Sequence, residues 1–100
     1  MINSIITGTG SFIPDHEVRN SDFYNASFYD AKGNKFTAPN EEIVAKFKEI
    51  TGIEARRYAD KNAVTSDLAT IAAQRAIENA NIDPETLDYI IVGHNFGDVK

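Results

Sequence analysis

His94 and Asn95 stand directly behind an apolar run at residues 89–92, with Asp98 close by. In α/β proteins the carboxyl end of a buried strand is where ligands are held. An imidazole there can serve as a general base or metal ligand, and an Asn amide can hydrogen-bond a carbonyl. Arg56 and Arg57 are adjacent guanidiniums, the group that clamps phosphate or carboxylate. Gly8 and Gly10 in the run GTGS invite a phosphate-loop reading. Each of these has a structural competitor. His16 is the only other histidine and is distant in sequence, which leaves no compact metal-ligand spacing. Lining a pocket, or packing, is the better reading of His94 and Asn95. Arginines on an exposed strand more often form a solvated or inter-subunit face. The dinucleotide fingerprint needs a third glycine and a following helix, but Phe12, Ile13 and Pro14 follow instead. GTGS therefore reads as a tight strand end with close backbone approach or unusual torsions. No nucleophile–base pair and no placed pair of carboxylates is visible, so no catalytic residue is assigned.

The elements that must position these residues follow from periodicity and punctuation. Residues 2–9 read as a first strand, with Ile2, Ile5 and Ile6 apolar and β-branched. Ser21, Asp22 and Phe23 open a short helix, and residues 24–39 form a turn-rich surface excursion. Asn40 is the expected N-cap of a helix whose Glu41 and Glu42 complement the dipole. Ile43, Phe47 and Ile50 give that helix an apolar stripe, and Gly52 is placed as its left-handed terminator. Residues 53–59 read as a short exposed strand. Thr65 is the expected cap of the strongest helix, 66–79. Its Leu68, Ala69, Ala72, Ala73, Ala76, Ile77 and Ala80 cover far more than one stripe, the pattern of a helix packed closely on two sides. Asp83 and Pro84 open a helical turn. Residues 89–92 are apolar on both faces, as in a parallel strand covered on both sides. The predicted class is α/β, and few elements of so short a chain could cover both the long helix and the last strand.

Composition narrows the function. The hydrophobic fraction of 42% and charged fraction of 25% suit one small globular domain. A net charge of -5 and a pI near 4.8 argue against general nucleic-acid binding. With no cysteine, these residues hold no disulfide framework, no thiolate metal site and no Cys nucleophile. The amino terminus lacks the basic and apolar regions of a secretory signal, and no apolar stretch approaches membrane-spanning length. The expectation is a cytoplasmic protein with no metal, no membrane partner and no nucleic-acid partner.

Three stretches, taken in order, resemble a known family. IITGTGSFIPDHEVRNSDF at 5–23, ITGIEARRYAD at 50–60 and TSDLATIAAQRAIENANIDPETLDYIIVG at 65–93 are similar to the start of a β-ketoacyl-acyl-carrier-protein synthase III, a condensing enzyme of the thiolase-like fold. The likeness covers nearly the whole chain, apart from the excursion around 24–39. It implies that residues 1–100 are the amino-terminal part of the first of two similar halves. Each half is a mixed sheet between helix layers, and the whole pairs as a homodimer. The implied reaction is a decarboxylative Claisen condensation of an acyl thioester with malonyl-acyl-carrier protein, in fatty-acid or related lipid or polyketide synthesis. A cysteine takes the acyl group, and a His and an Asn hold the thioester carbonyl. The family's Cys follows the last strand seen here, and its catalytic His, which is not His94, belongs to the second half. The fragment itself is therefore expected to be inactive. Implied partners are an acyl-carrier protein and an acyl thioester, with a coenzyme A thioester as candidate substrate and no covalently bound cofactor. Arg56 matches the family's arginine after TGI, near the coenzyme or carrier entrance, and joins His94 and Asn95 as a substrate-binding candidate.

Two departures shape the alternatives. Family members often stack the coenzyme adenine on a Trp ahead of TGI; this chain has no Trp, and Lys46 or Phe47 lies nearest. The related hydroxymethylglutaryl-coenzyme A synthases carry a catalytic Glu just after this strand, where Asn95 stands, and an amide cannot act as a general acid. The competing functions are a hydroxymethylglutaryl-coenzyme A synthase-like enzyme, a non-catalytic dimerisation or binding module, and a nucleotide-binding domain resting on GTGS alone.

Overall fold

The computed structural model describes residues 2–99. Among them the chain divides into two compact units, one of Pro14–Ala59 and one of residues 2–13 with 60–99.

In the first unit, β1 (His16–Arg19) leads into a 3₁₀ turn at Asn20–Phe23, then α1 (Asn40–Thr51) and β2 (Ala55–Tyr58). The two strands pair antiparallel, with Val18 opposite Arg56 and His16 opposite Tyr58. Side chains alternate across a strand, so Val18 and Arg56 share one face while Glu17 and Arg57 share the other. Residues 24–39 fold back on themselves. Asp30 Oδ1 accepts the Lys32 and Asn34 amides at 2.8 and 2.9 Å, Gly33 takes a positive φ of 83°, and Tyr29 bridges Lys35.

Gly52 ends α1 in the left-handed region, as its position predicts (φ 71°, ψ 9°). The other end of α1 differs from expectation. Pro39 is the capping residue, because the Asn40 side chain is turned away to donate to the Tyr24 and Ala26 carbonyls, each at 2.7 Å. The predicted stripe also shifts. Val44 is the buried residue of α1, while Ile50 is 73% exposed. The Asn20–Phe23 turn packs on α1, and Val44 lines a cavity together with Asn20 and Phe23.

In the second unit, α2 (Thr65–Ala80) begins one residue earlier than predicted. Asp67 accepts the Val64 amide at 2.9 Å, and Asn81 closes the helix in the left-handed region (φ 54°, ψ 48°). A 3₁₀ turn at Pro84–Thr86 is capped by Asp83, whose Oδ1 accepts the Glu85 amide at 3.0 Å, as the Asp–Pro pair predicts. Residues 2–9 form no ladder, and neither do 89–92; among the described residues the one sheet is β1–β2. Ile2, Ile5 and Ile6 are exposed, as are Tyr89, Ile90, Ile91 and Val92. The expected strands are thus unpaired here, and the second covered side of α2 is missing, with none of its residues buried.

One side of α2 is covered, by residues 8–12. Asn79 Oδ1 accepts the Thr9 amide at 3.1 Å. Arg75 donates to the Ser11 carbonyl at 2.9 Å, and its guanidinium lies 5.5 Å from the centre of the Phe12 ring. Between these anchors Gly8 and Gly10 meet the helix backbone. A Cβ on Gly8 would fall 2.6 Å from the Ala76 carbonyl oxygen, and one on Gly10 would collide with Ala72 O and Ala76 N. Neither glycine has a positive φ, so close approach, not unusual torsion, is what requires glycine.

Gly10→Ala should therefore destabilise the protein by about 1–3 kcal/mol, the usual cost of overpacking. Gly93→Ala, with nothing within 4 Å of its added Cβ, should stay within about 0.5 kcal/mol of the parent. Denaturant midpoints of the two variants check this, and equal midpoints would contradict the seam.

Candidate functional site

Arg56 sits in β2, just behind the turn that Gly52 makes. Its guanidinium donates from Nη2 to Asn20 Oδ1 at 3.0 Å and lies 5.0 Å from the Phe23 ring centre. Asn20 also donates from Nδ2 to the Ile53 carbonyl at 2.9 Å and from its backbone to Glu54 O at 3.2 Å. One side chain thus ties the end of β1 to the start of β2 and orients the arginine. Beside Arg56 is a cavity of about 250 Å³ walled by Phe23, Phe28, Phe47 and Val44. Phe28 and Phe47 meet edge to face, 5.8 Å between centres. Lys48 joins the wall and pairs with Glu54 at 3.1 Å; that contact is exposed and holds the lysine weakly. Ligand pockets usually run from about 300 Å³ upward, so this cavity is small, and Arg56 and Lys48 are the cations on its wall.

Arg57 does not share this site. It lies on the opposite face of β2 and donates to the Pro14 carbonyl at 3.3 Å. The two adjacent arginines therefore form no joint clamp. GTGS forms no phosphate loop either: Gly8 and Gly10 lie against Ala72, Ala76 and Ala80 of α2, well past its first turn.

His94 and Asn95 belong to the other unit. Both are exposed, and Asn95 starts a bend. The loop they occupy meets the first turn of α2 twice. Thr65 Oγ1 donates to the Phe96 carbonyl at 2.8 Å, and the Ser66 amide donates to Asp98 Oδ1 at 2.9 Å. The Ser66 hydroxyl and then its amide hold the Asp98 carboxyl below its ordinary pKa; the nearby His94 imidazole and the Thr65 amide add to this, and desolvation opposes it. Among the described residues there is no group of three or more His, Cys, Asp or Glu that could hold a metal ion. No helix there is long and apolar enough to cross a membrane.

A comparison with protein-family profiles finds no match. Among curated proteins, a β-ketoacyl-[acyl-carrier-protein] synthase III of Caldanaerobacter subterraneus subsp. tengcongensis is 41% identical over 87 residues, which is 87% of this chain. The chain belongs with the β-ketoacyl synthase III-like proteins. It spans 22% of the length of that relative.

In this β-ketoacyl synthase III-like chain, the residues that sequence reasoning missed are partners, not candidates. Asn20 had no signal of its own, since its three hydrogen bonds join segments distant in sequence. Phe23 and Phe28 were legible as apolar, but not as walls beside Arg56. Asp98 was noted only for closeness to His94, while its strongest partner, Ser66, is 32 residues away.

The Asp98–Ser66 contact should depend on pH in a defined direction. A depressed carboxyl pKa means the contact is fully formed above the ordinary aspartate range and is lost as pH falls through the depressed value. The Ser66 amide proton, followed by NMR, should titrate with a midpoint below the ordinary aspartate value of about 3.9. A midpoint at or above that value would show that the contact does not favour the carboxylate.

Proposed function

We propose that this chain is the amino-terminal part of the first half of a thiolase-like condensing enzyme, and that the protein carrying it is an acyltransferase of the β-ketoacyl synthase III kind. On this reading a cysteine outside these residues attacks an acyl thioester, forming the acyl-enzyme and releasing the carrier thiol. Malonyl-acyl-carrier protein then loses carbon dioxide. The resulting carbanion attacks the acyl-enzyme carbonyl, the C–C bond forms, and the cysteine thiolate leaves. Fatty-acid synthesis, or a related lipid or polyketide route, is the setting, with a soluble cytoplasmic homodimer as the working form. The exposed apolar segments 2–6 and 89–92 support this. They are read as strands of a mixed sheet that pair with other parts of the whole protein, since apolar surface on this scale marks an interface.

The observation that carries the reading is the turn at Thr51–Gly52–Ile53. It ends α1 and delivers Arg56 to an aromatic-walled cavity. We assign Arg56 to the entrance used by the coenzyme or carrier, where its guanidinium takes an anionic group of the incoming thioester. Phe28 and Phe47 supply ring surface there, in a chain with no Trp. His94 and Asn95 are assigned to the acyl pocket, where the Asn95 amide hydrogen-bonds a carbonyl without transferring protons.

The 100-residue chain should accept no acyl group. Incubated with radiolabelled acyl-coenzyme A, it should retain no label after denaturing gel filtration, because it contains no Cys. Stable label on any residue would overturn this.

In the longest natural protein that carries this chain, Arg56→Ala should raise KM for the acyl donor by about tenfold, the loss of one charge-assisted hydrogen bond. Asn95→Ala should alter acyl preference or lower turnover while leaving acylation of the Cys intact. Steady-state kinetics with melting temperatures on the same samples check both. Lowered stability with unchanged kinetics for Asn95→Ala would reduce that residue to a turn former.

A further inference from the structure

We propose that Asp98 is a positioning residue. Together with Thr65 it clips the 94–98 loop to the first turn of α2, and so fixes where His94 and Asn95 stand. The inference rests on the reading that those two residues face the acyl pocket, but the clip is measurable without it.

The first turn of a helix leaves its amides without intrahelical partners. In α2 these donors are divided. The preceding Val64 amide goes to Asp67 within the same turn, and the Ser66 amide goes to Asp98 across 32 residues of chain. Thr65, a residue type that commonly caps helices, instead directs its hydroxyl outward to the Phe96 carbonyl, 31 residues away. Two adjacent helix residues thus grip two loop residues, at 2.8 and 2.9 Å.

Burial does not hold this loop. Phe96 is 77% exposed and Val99 is 92% exposed. Apolar contact is therefore weak there, and the polar clip is the restraint that remains. The charged or titratable group that acts on Asp98 is His94, from the loop itself; Asp67 lies in the same first turn of α2 as Ser66 and accepts the Val64 amide. Gly97 completes the arrangement. A Cβ there would stand 3.2 Å from His94 Cε1, so a glycine lets the imidazole lie over the loop backbone. His94 and Asn95 then take their place from α2, whose own position is set by the seam with residues 8–12.

The test uses hydrogen exchange in the longest natural protein that carries this chain. Asp98→Ala should speed exchange of the Ser66 amide by about fivefold, the scale set by losing a helix cap. Exchange across 94–98 should quicken with it, while amides in the middle of α2 stay unchanged. Asp98→Asn, which keeps an acceptor oxygen, should restore the parent rates to within about twofold. Thr65→Val should loosen 94–98 without affecting Ser66. Unchanged Ser66 exchange in Asp98→Ala overturns the proposal, as does an Asn variant that behaves like the Ala variant. Faster exchange along the whole of α2 also overturns it, since that marks a general stabilising role. Kinetics separate this result from the functional reading. If Asp98→Ala loosens the loop but neither it nor Asn95→Ala changes acyl preference, the clip stands and the pocket assignment falls.

Discussion

The close approach of residues 8–12 to α2 is the constraint on which the unit of residues 2–13 and 60–99 depends. It works because both surfaces are small. Ala72, Ala76 and Ala80 recur every four residues and so lie along one helix face, and Gly8 and Gly10 alternate along the extended segment that meets it. Arg75 and Asn79 flank the alanines on the same face and supply the polar anchors, to Ser11 and Thr9. Packing, hydrogen bonding and a cation–π contact therefore converge on one face. This matters because, among the described residues, the unit has no buried side chain to rely on; the described buried hydrophobic residues, Val18 and Val44, are in the other unit.

In Pro14–Ala59 the comparable part is played by one polar residue. Asn20 uses its backbone amide, side-chain nitrogen and side-chain oxygen on three different residues of the following segment. Two four-residue strands make few ladder bonds, and a lone two-stranded pair is marginal in water. Asn20 closes the end of that pair and, by the same contacts, directs Arg56 toward the Phe23 ring. Fold and site are coupled here through a single amide. The arginine's free N–H groups remain available because only one of its nitrogens is used on Asn20.

What the sequence made legible was local. Gly52, Asp83 and Pro84 act through neighbours within a turn, and each sits where its type predicts. The helices at Asn40–Thr51 and Thr65–Ala80 were readable because their amphipathic pattern and termini lie in one stretch of chain. The misreadings were all non-local. Asn40 looked like a cap, but its side chain is drawn to carbonyls 14 and 16 residues back. Val44 fell outside the expected stripe because which side of α1 is covered is decided by the Asn20–Phe23 turn. Residues 2–9 and 89–92 have strand composition, but a strand exists only with a hydrogen-bonded neighbour, and composition does not supply one. β1 was missed for the converse reason: His-Glu-Val-Arg has weak strand character and pairs because β2 is beside it.

The same distinction governs the candidate site. Residue types announced Arg56, His94 and Asn95 as chemically able, but what such a group can do depends on what holds it. Arg56 is oriented by Asn20 and lies beside aromatic walls, with N–H groups that Asn20 does not use. Arg57, chemically identical and adjacent, is turned to the opposite face by strand alternation and bonds a backbone carbonyl. Sequence adjacency in a strand thus separates two functional groups more effectively than distance does. In the 94–98 loop the opposite holds: residues 31 and 32 positions apart are joined, and the join lies at a helix end where unpaired amides are available. A carboxylate is well suited to that end, because the helix dipole favours negative charge there. Asp98 therefore satisfies the first turn of α2 and anchors the loop through the same bond, so that the order of that one turn and of the loop rise and fall together.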